Sequence, residues 1–98
     1  MNVIREIQVE DCLDGSYIRD FVLDGLITRT FIAGLVAAGD LKYFPEFARP
    51  FFTVLKPDRW KIKGVEGNNS LRVVFFKQVK GSPESERGIV DILEGIKE

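Results

Sequence analysis

Arg59, Lys61, Lys63, Arg72, Phe76 and Lys77 put five cations and an aromatic ring into one short stretch of the chain. Their spacing is that of strands. If Trp60 and Ile62 turn inward, Arg59, Lys61 and Lys63 share the opposite side of one strand, because strand side chains alternate. In the next apolar run, Leu71, Val73 and Phe75 alternate with Arg72, Val74 and Phe76, and Lys77 follows. A cationic sheet face carrying a ring is the chemistry of a single-strand nucleic-acid binder. The cations follow the phosphates, and the ring stacks on a base for roughly 1–3 kcal/mol. Residues 71–76 lack the glycine that the RNA-recognition signature K/R-G-F/Y-G/A-F-V-x-F/Y requires. A net charge of −1 gives no bulk attraction to a polyanion, so such binding would rest on the local patch. The plainer account is structural: lysines on an outer strand face discourage edge aggregation, and acidic helices packed nearby would neutralise a basic sheet.

Residues 44–52, FPEFARPFF, offer a second kind of chemistry. Phe44, Phe47, Arg49, Phe51 and Phe52 are the residue types that dominate interface cores. A domain this small has little room to bury every ring. The segment therefore points to a protein partner or a second copy of the chain, against the alternative of a loop whose rings plug the end of a sheet.

Catalytic chemistry finds little support. The chain has no histidine, which removes the commonest general base and metal ligand together with the usual Ser-His and Cys-His pairs. Cys12 is the only cysteine. Activation of its thiol would need a nearby helix N-terminus, such as a helix starting at Ser16; as a small packed side chain it needs nothing. Asp11, Asp14 and Gly15 do not meet the spacing of a calcium loop and read as turn chemistry. Asp20 and Asp24 fit a solvated helix face. The segment Gly64-Val65-Glu66-Gly67 is no phosphate loop, because Glu66 stands where a phosphate would lie. No cofactor or metal is implied.

Charge is laid out in blocks. Residues 1–41 sum to −4, residues 42–80 to +6 and residues 81–98 to −3. With 45 % hydrophobic and 30 % charged residues, the composition is that of an ordinary globular chain, and 98 residues fit a single domain spanning 1–98. One cysteine allows no internal disulfide, and no signal-peptide pattern or membrane-length apolar run is visible. A cytoplasmic, reducing location away from membranes is the default expectation.

The elements that must position these groups read as follows. Val3, Ile7 and Val9 suggest a first strand with those three on one side. Tyr17, Ile18, Phe21 and Val22 recur at helical spacing, so a helix is predicted over about 16–24, capped by Asp14 or Ser16 and closed by Gly25. Residues 26–32 are rich in β-branched and aromatic types and read as a strand, with one long helix over 16–38 as the rival. Pro45 and Pro50 make 40–50 a surface connection. Strands are expected over 51–55, 60–63 and 71–79, joined by a type I turn at Lys56-Pro57-Asp58-Arg59 and a loop around Gly67-Asn68-Asn69. Ser82-Pro83-Glu84 opens a last helix, about 83–97, whose stripe of Ile89, Val90, Ile92, Leu93 and Ile96 belongs against the sheet.

The sequence thus predicts an α+β domain: a mainly antiparallel sheet of four or five strands with helices at about 16–24 and 83–97 on one face. The leading functional expectation is a non-catalytic intracellular interaction module, self-associating as a homo-oligomer through aromatic surface. Nucleic-acid binding by the basic face is the alternative, and a small enzyme comes third.

Overall fold

A computed structural model describes residues 1–80 and 83–96 of the chain. Six strands are present: β1 (Val3–Asp11), β2 (Tyr17–Leu23), β3 (Asp40–Phe44), β4 (Phe51–Lys56), β5 (Trp60–Val65) and β6 (Ser70–Phe75). They form one antiparallel sheet in the order β1-β2-β6-β5-β4-β3. The helices are α1 (Arg29–Gly34) and α2 (Pro83–Gly95), with 3-10 turns at Leu35–Ala37 and Lys77–Val79. The fold is α+β and antiparallel, with six strands rather than four or five. No helix among the described residues is long and apolar enough to cross a membrane.

The helix predicted over 16–24 is instead β2. Its apolar residues satisfy two periods at once: Tyr17, Ile18, Phe21 and Val22 fit a helical stripe, while Tyr17, Phe21 and Leu23 alternate and are buried together. Pairing with β1 on one side and β6 on the other decides for the strand. Tertiary pairing overrides the local pattern.

Residues 26–32 correct the sequence reading in the opposite sense, and the long-helix rival fails with it. Ile27 is buried, and Thr28 then caps α1, its Oγ1 accepting from the Phe31 N–H at 3.1 Å. With Thr28 as the cap rather than an interior residue, Phe31, Ile32 and Leu35 fall on one helical face and are buried. Residues 40–50 also differ from expectation. β3 occupies the first half, and Pro45 and Pro50 lie after it, where no ladder bond is lost. The run beginning at 71 ends its strand at Phe75 and continues into a 3-10 turn.

One turn and one strand differ in detail. Asp58 takes φ 63°, the positive value of a type II rather than a type I turn. β1 carries extra residues at Ile4 and Val9, where its register against β2 shifts. Val3 therefore stands opposite Leu23 and Ile7 opposite Asp20, on different faces of the sheet. The last helix is found as expected; Ser82 and Lys97, its proposed cap and end, lie outside the described residues.

One face of the sheet holds the core. Phe21, Leu23, Phe52, Val54, Ile62, Val73 and Phe75 meet Phe31, Ile32 and Leu35 from the α1 region and Ile89 and Leu93 from α2. Both helices contribute to this cluster, which leaves the other sheet face as a surface.

Candidate functional site

Residues opposite each other on antiparallel strands share a face, so the ladder defines the outer surface row by row. One row runs Ile7, Asp20, Arg72, Lys63, Thr53, Lys42 across all six strands. The next runs Glu10, Ile18, Val74, Lys61, Leu55, Asp40. At the end nearer the β5–β6 loop, Phe51 of β4 faces Phe44 of β3. The cations Arg72, Lys61 and Lys63 hold the middle strands, while the acids Glu10, Asp20 and Asp40 sit toward the margins.

A trough of about 590 Å³ lies on this face, lined in part by Asp20, Phe51, Thr53, Lys61, Lys63 and Arg72. Lys42, Lys63 and Arg72 are exposed and Lys61 is half-buried. None of the three lysines is in an ion pair or hydrogen bond with a described residue. Lys63 and Arg72 stand directly opposite, about 5 Å apart at Cβ, an unfavourable placement for like charges. Asp20 relieves it from the other side: the Arg72 Nε donates to Oδ1 at 2.8 Å and Nη2 to Oδ2 at 3.1 Å. The pair also raises the pKa of the already permanent Arg72 cation.

Of the basic set inferred from sequence, Lys61, Lys63 and Arg72 line the trough together. Phe76 sits at the far rim, its N–H donating to the Arg59 carbonyl at 2.9 Å. It lines a separate depression with Leu55, Pro57 and Lys77. Lys77 lies beyond the strand, its Cβ packed beside Gly15, where a built Cβ would meet it at 2.9 Å. The six residues are therefore split between the trough and one end of the sheet.

The aromatic set is also split. Phe44 and Phe51 stack at 4.6 Å between centroids, and Phe47 tilts onto Phe51 at 5.1 Å while remaining 53 % exposed. Arg49 is tied by Nη2 to the Asn68 side-chain oxygen. Phe52 faces the core and is fully buried, so it belongs to no surface.

Lys42, Thr53 and Asp20 are the face residues that sequence reasoning missed. Lys42 was readable from the alternation Leu41-Lys42-Tyr43, had the prolines not led 40–50 to be read as a connection.

The remaining candidates take simple structural roles. Asp14 Oδ1 accepts from the Ser16 N–H at 2.9 Å and its hydroxyl at 2.6 Å, which holds the turn before β2 and lowers the Asp14 pKa. Since β2 is a strand, no helix begins at Ser16 to activate Cys12. The Cys12 thiol is half-buried, 3.7 Å from Glu10 Oε2. Among the described residues, no three His, Cys, Asp or Glu side chains cluster as a metal site.

Comparison of the chain with known protein families, curated proteins and solved structures finds no significant match in any of the three.

Proposed function

We propose that this chain is a non-catalytic binding module whose open sheet face holds a single-stranded nucleic acid. One observation carries the reading. Lys42, Lys61 and Lys63 share a face with no described carboxylate paired to them, and the trough on that face is lined by Lys61, Lys63 and Phe51, the ring that stacks on Phe44. Unpaired cations on a surface favour a polyanion, and an aromatic rim favours a ligand with flat rings; a single strand supplies both. The near-neutral total charge then confines attraction to this patch.

Anisotropy titration of a labelled oligonucleotide against the full chain tests this. With three lysines on phosphates, a fourfold rise in salt from about 50 to 200 mM weakens binding roughly 20-fold, from a slope near −0.7 per contact. Lys61→Glu with Lys63→Glu removes most of the affinity. Undetectable binding at low salt, or equal affinity for an oligo-glutamate peptide, refutes the proposal.

The exposed Phe47 beside the Phe44–Phe51 stack favours a second reading, self-association. With Phe52 in the core and Phe44 and Phe51 stacked on each other, Phe47 is the ring of this segment most exposed to a partner, and a stable interface needs roughly 800 Å² per partner. A sedimentation series showing only monomer at high concentration would remove this reading.

A further inference from the structure

The Asp20–Arg72 pair assigns Arg72 a different task from the lysines beside it. A guanidinium presents two donor forks: a side-on fork from Nε and one Nη, and an end-on fork with one N–H from each Nη. Asp20 takes the side-on fork through Nε and Nη2. No described residue takes Nη1, and the Arg72 side chain remains half exposed at the trough. The end-on fork is thus free of described partners, while the charge behind it is already balanced by a carboxylate.

We infer that Arg72 reads a base rather than a phosphate, and that the base is guanine. This rests on the nucleic-acid reading above. A phosphate brought to Arg72 would also meet the Asp20 carboxylate, a repulsion that Lys42, Lys61 and Lys63 do not impose. A neutral pair of acceptors meets no such repulsion. Guanine presents O6 and N7 side by side, the spacing that an arginine fork matches. Asp20 is the positioning residue: it holds the guanidinium plane so that less freedom is lost when the base arrives. The lysines supply affinity without regard to sequence, and Arg72 adds the discrimination.

The test compares two strands of equal length, one containing guanine and one with 7-deazaguanine at the same places. The analogue keeps the stacking surface but lacks the N7 acceptor, so stacking on Phe51 cannot account for a difference. The expected result is about tenfold tighter binding of the guanine strand. Arg72→Lys keeps the charge, lacks the fork and binds both strands alike. Asp20→Asn frees Arg72 for phosphate: both strands bind more tightly, the salt slope steepens by about 0.7, and the preference shrinks. Both sites are surface positions, and matching thermal melts confirm that the variants fold. Equal affinity of the native chain for the two strands overturns the inference while leaving the nucleic-acid reading intact. A preference that survives Arg72→Lys overturns it as well. Binding of neither strand at low salt removes both.

Discussion

The ring of Phe52 lies against the Cα of Gly64, its partner across the β4–β5 ladder; a Cβ built on Gly64 would stand 2.6 Å from both Cε1 and Cζ. Phe52 is fully buried and cannot swing away. Gly64 therefore sets the depth to which this ring enters the core, directly beneath the strand that carries Lys61 and Lys63.

Gly64→Ala is expected to destabilise the fold by about 1–3 kcal/mol through overpacking. Urea unfolding measures it. The same substitution in a Phe52→Leu background should cost less, because the two sites share one space. Equal costs in both backgrounds would show that the crowding is not the cause.

Thr28→Ala should cost about 1 kcal/mol, the usual loss when a helix loses its cap. α1 has only 6 residues, so beside the packing of Phe31 and Ile32 in the core this cap is what holds its first turn. Thr28→Ser, which keeps the oxygen, should stay close to the native stability. Thermal unfolding of the two variants compares them.

Glu6 introduces a pH dependence. Partial burial raises its pKa above 4.5 and nearby Glu86 adds to the effect, with Arg19 opposing. A carboxyl whose folded pKa is raised binds its proton more tightly in the native state. Its contribution to stability is thus most favourable at low pH and is lost as pH rises from about 4.5 through the raised value. Glu6→Gln should remove that decline and stabilise the chain at neutral pH by a few tenths of a kcal/mol, an amount reduced by solvent screening. Melting temperatures of both proteins across acid to neutral pH read it out. A difference that does not vary with pH would rule out ionisation as its source.

Lys42 marks the width of the proposed binding face. It lies three strands from Arg72, about 14 Å away at sheet spacing. Lys42→Glu should weaken oligonucleotide binding and lower the salt slope by about 0.7, the loss of one phosphate contact. Arg87→Glu, on α2, should leave both unchanged. Identical effects of the two reversals would mean that binding follows net charge and no particular face.

The alternations from 51 to 75 were readable because hydrophobic and charged residues separate cleanly there: Trp60 and Ile62 are buried while Lys63 is exposed, and Leu71, Val73 and Phe75 are buried while Arg72 is not. The N-terminal half misled for a physical reason. Tyr17, Ile18, Phe21 and Val22 suit a helix as well as a strand, and only β6, distant in sequence, decides between them. Thr28 and Arg29 were weighed as interior residues of an element that in fact starts with them. The site suffered in the same way. Lys61, Lys63 and Arg72 were found from local alternation, whereas Asp20, Thr53 and Lys42 join them only through strand register.

β6 enters the sheet between β2 and β5, and its Arg72 meets Asp20 across 52 residues of chain. The surface proposed for recognition is therefore a product of closure, absent from any chain that stops short of β6 or has not yet inserted it. Occupancy and folding become one equilibrium: a ligand at 100 times its dissociation constant would add about 2.7 kcal/mol to the native state and nothing to the open chain. Saturating ligand should delay unfolding, and the β2–β6 pairing, between strands distant in sequence, should form slowly because a long loop must close first.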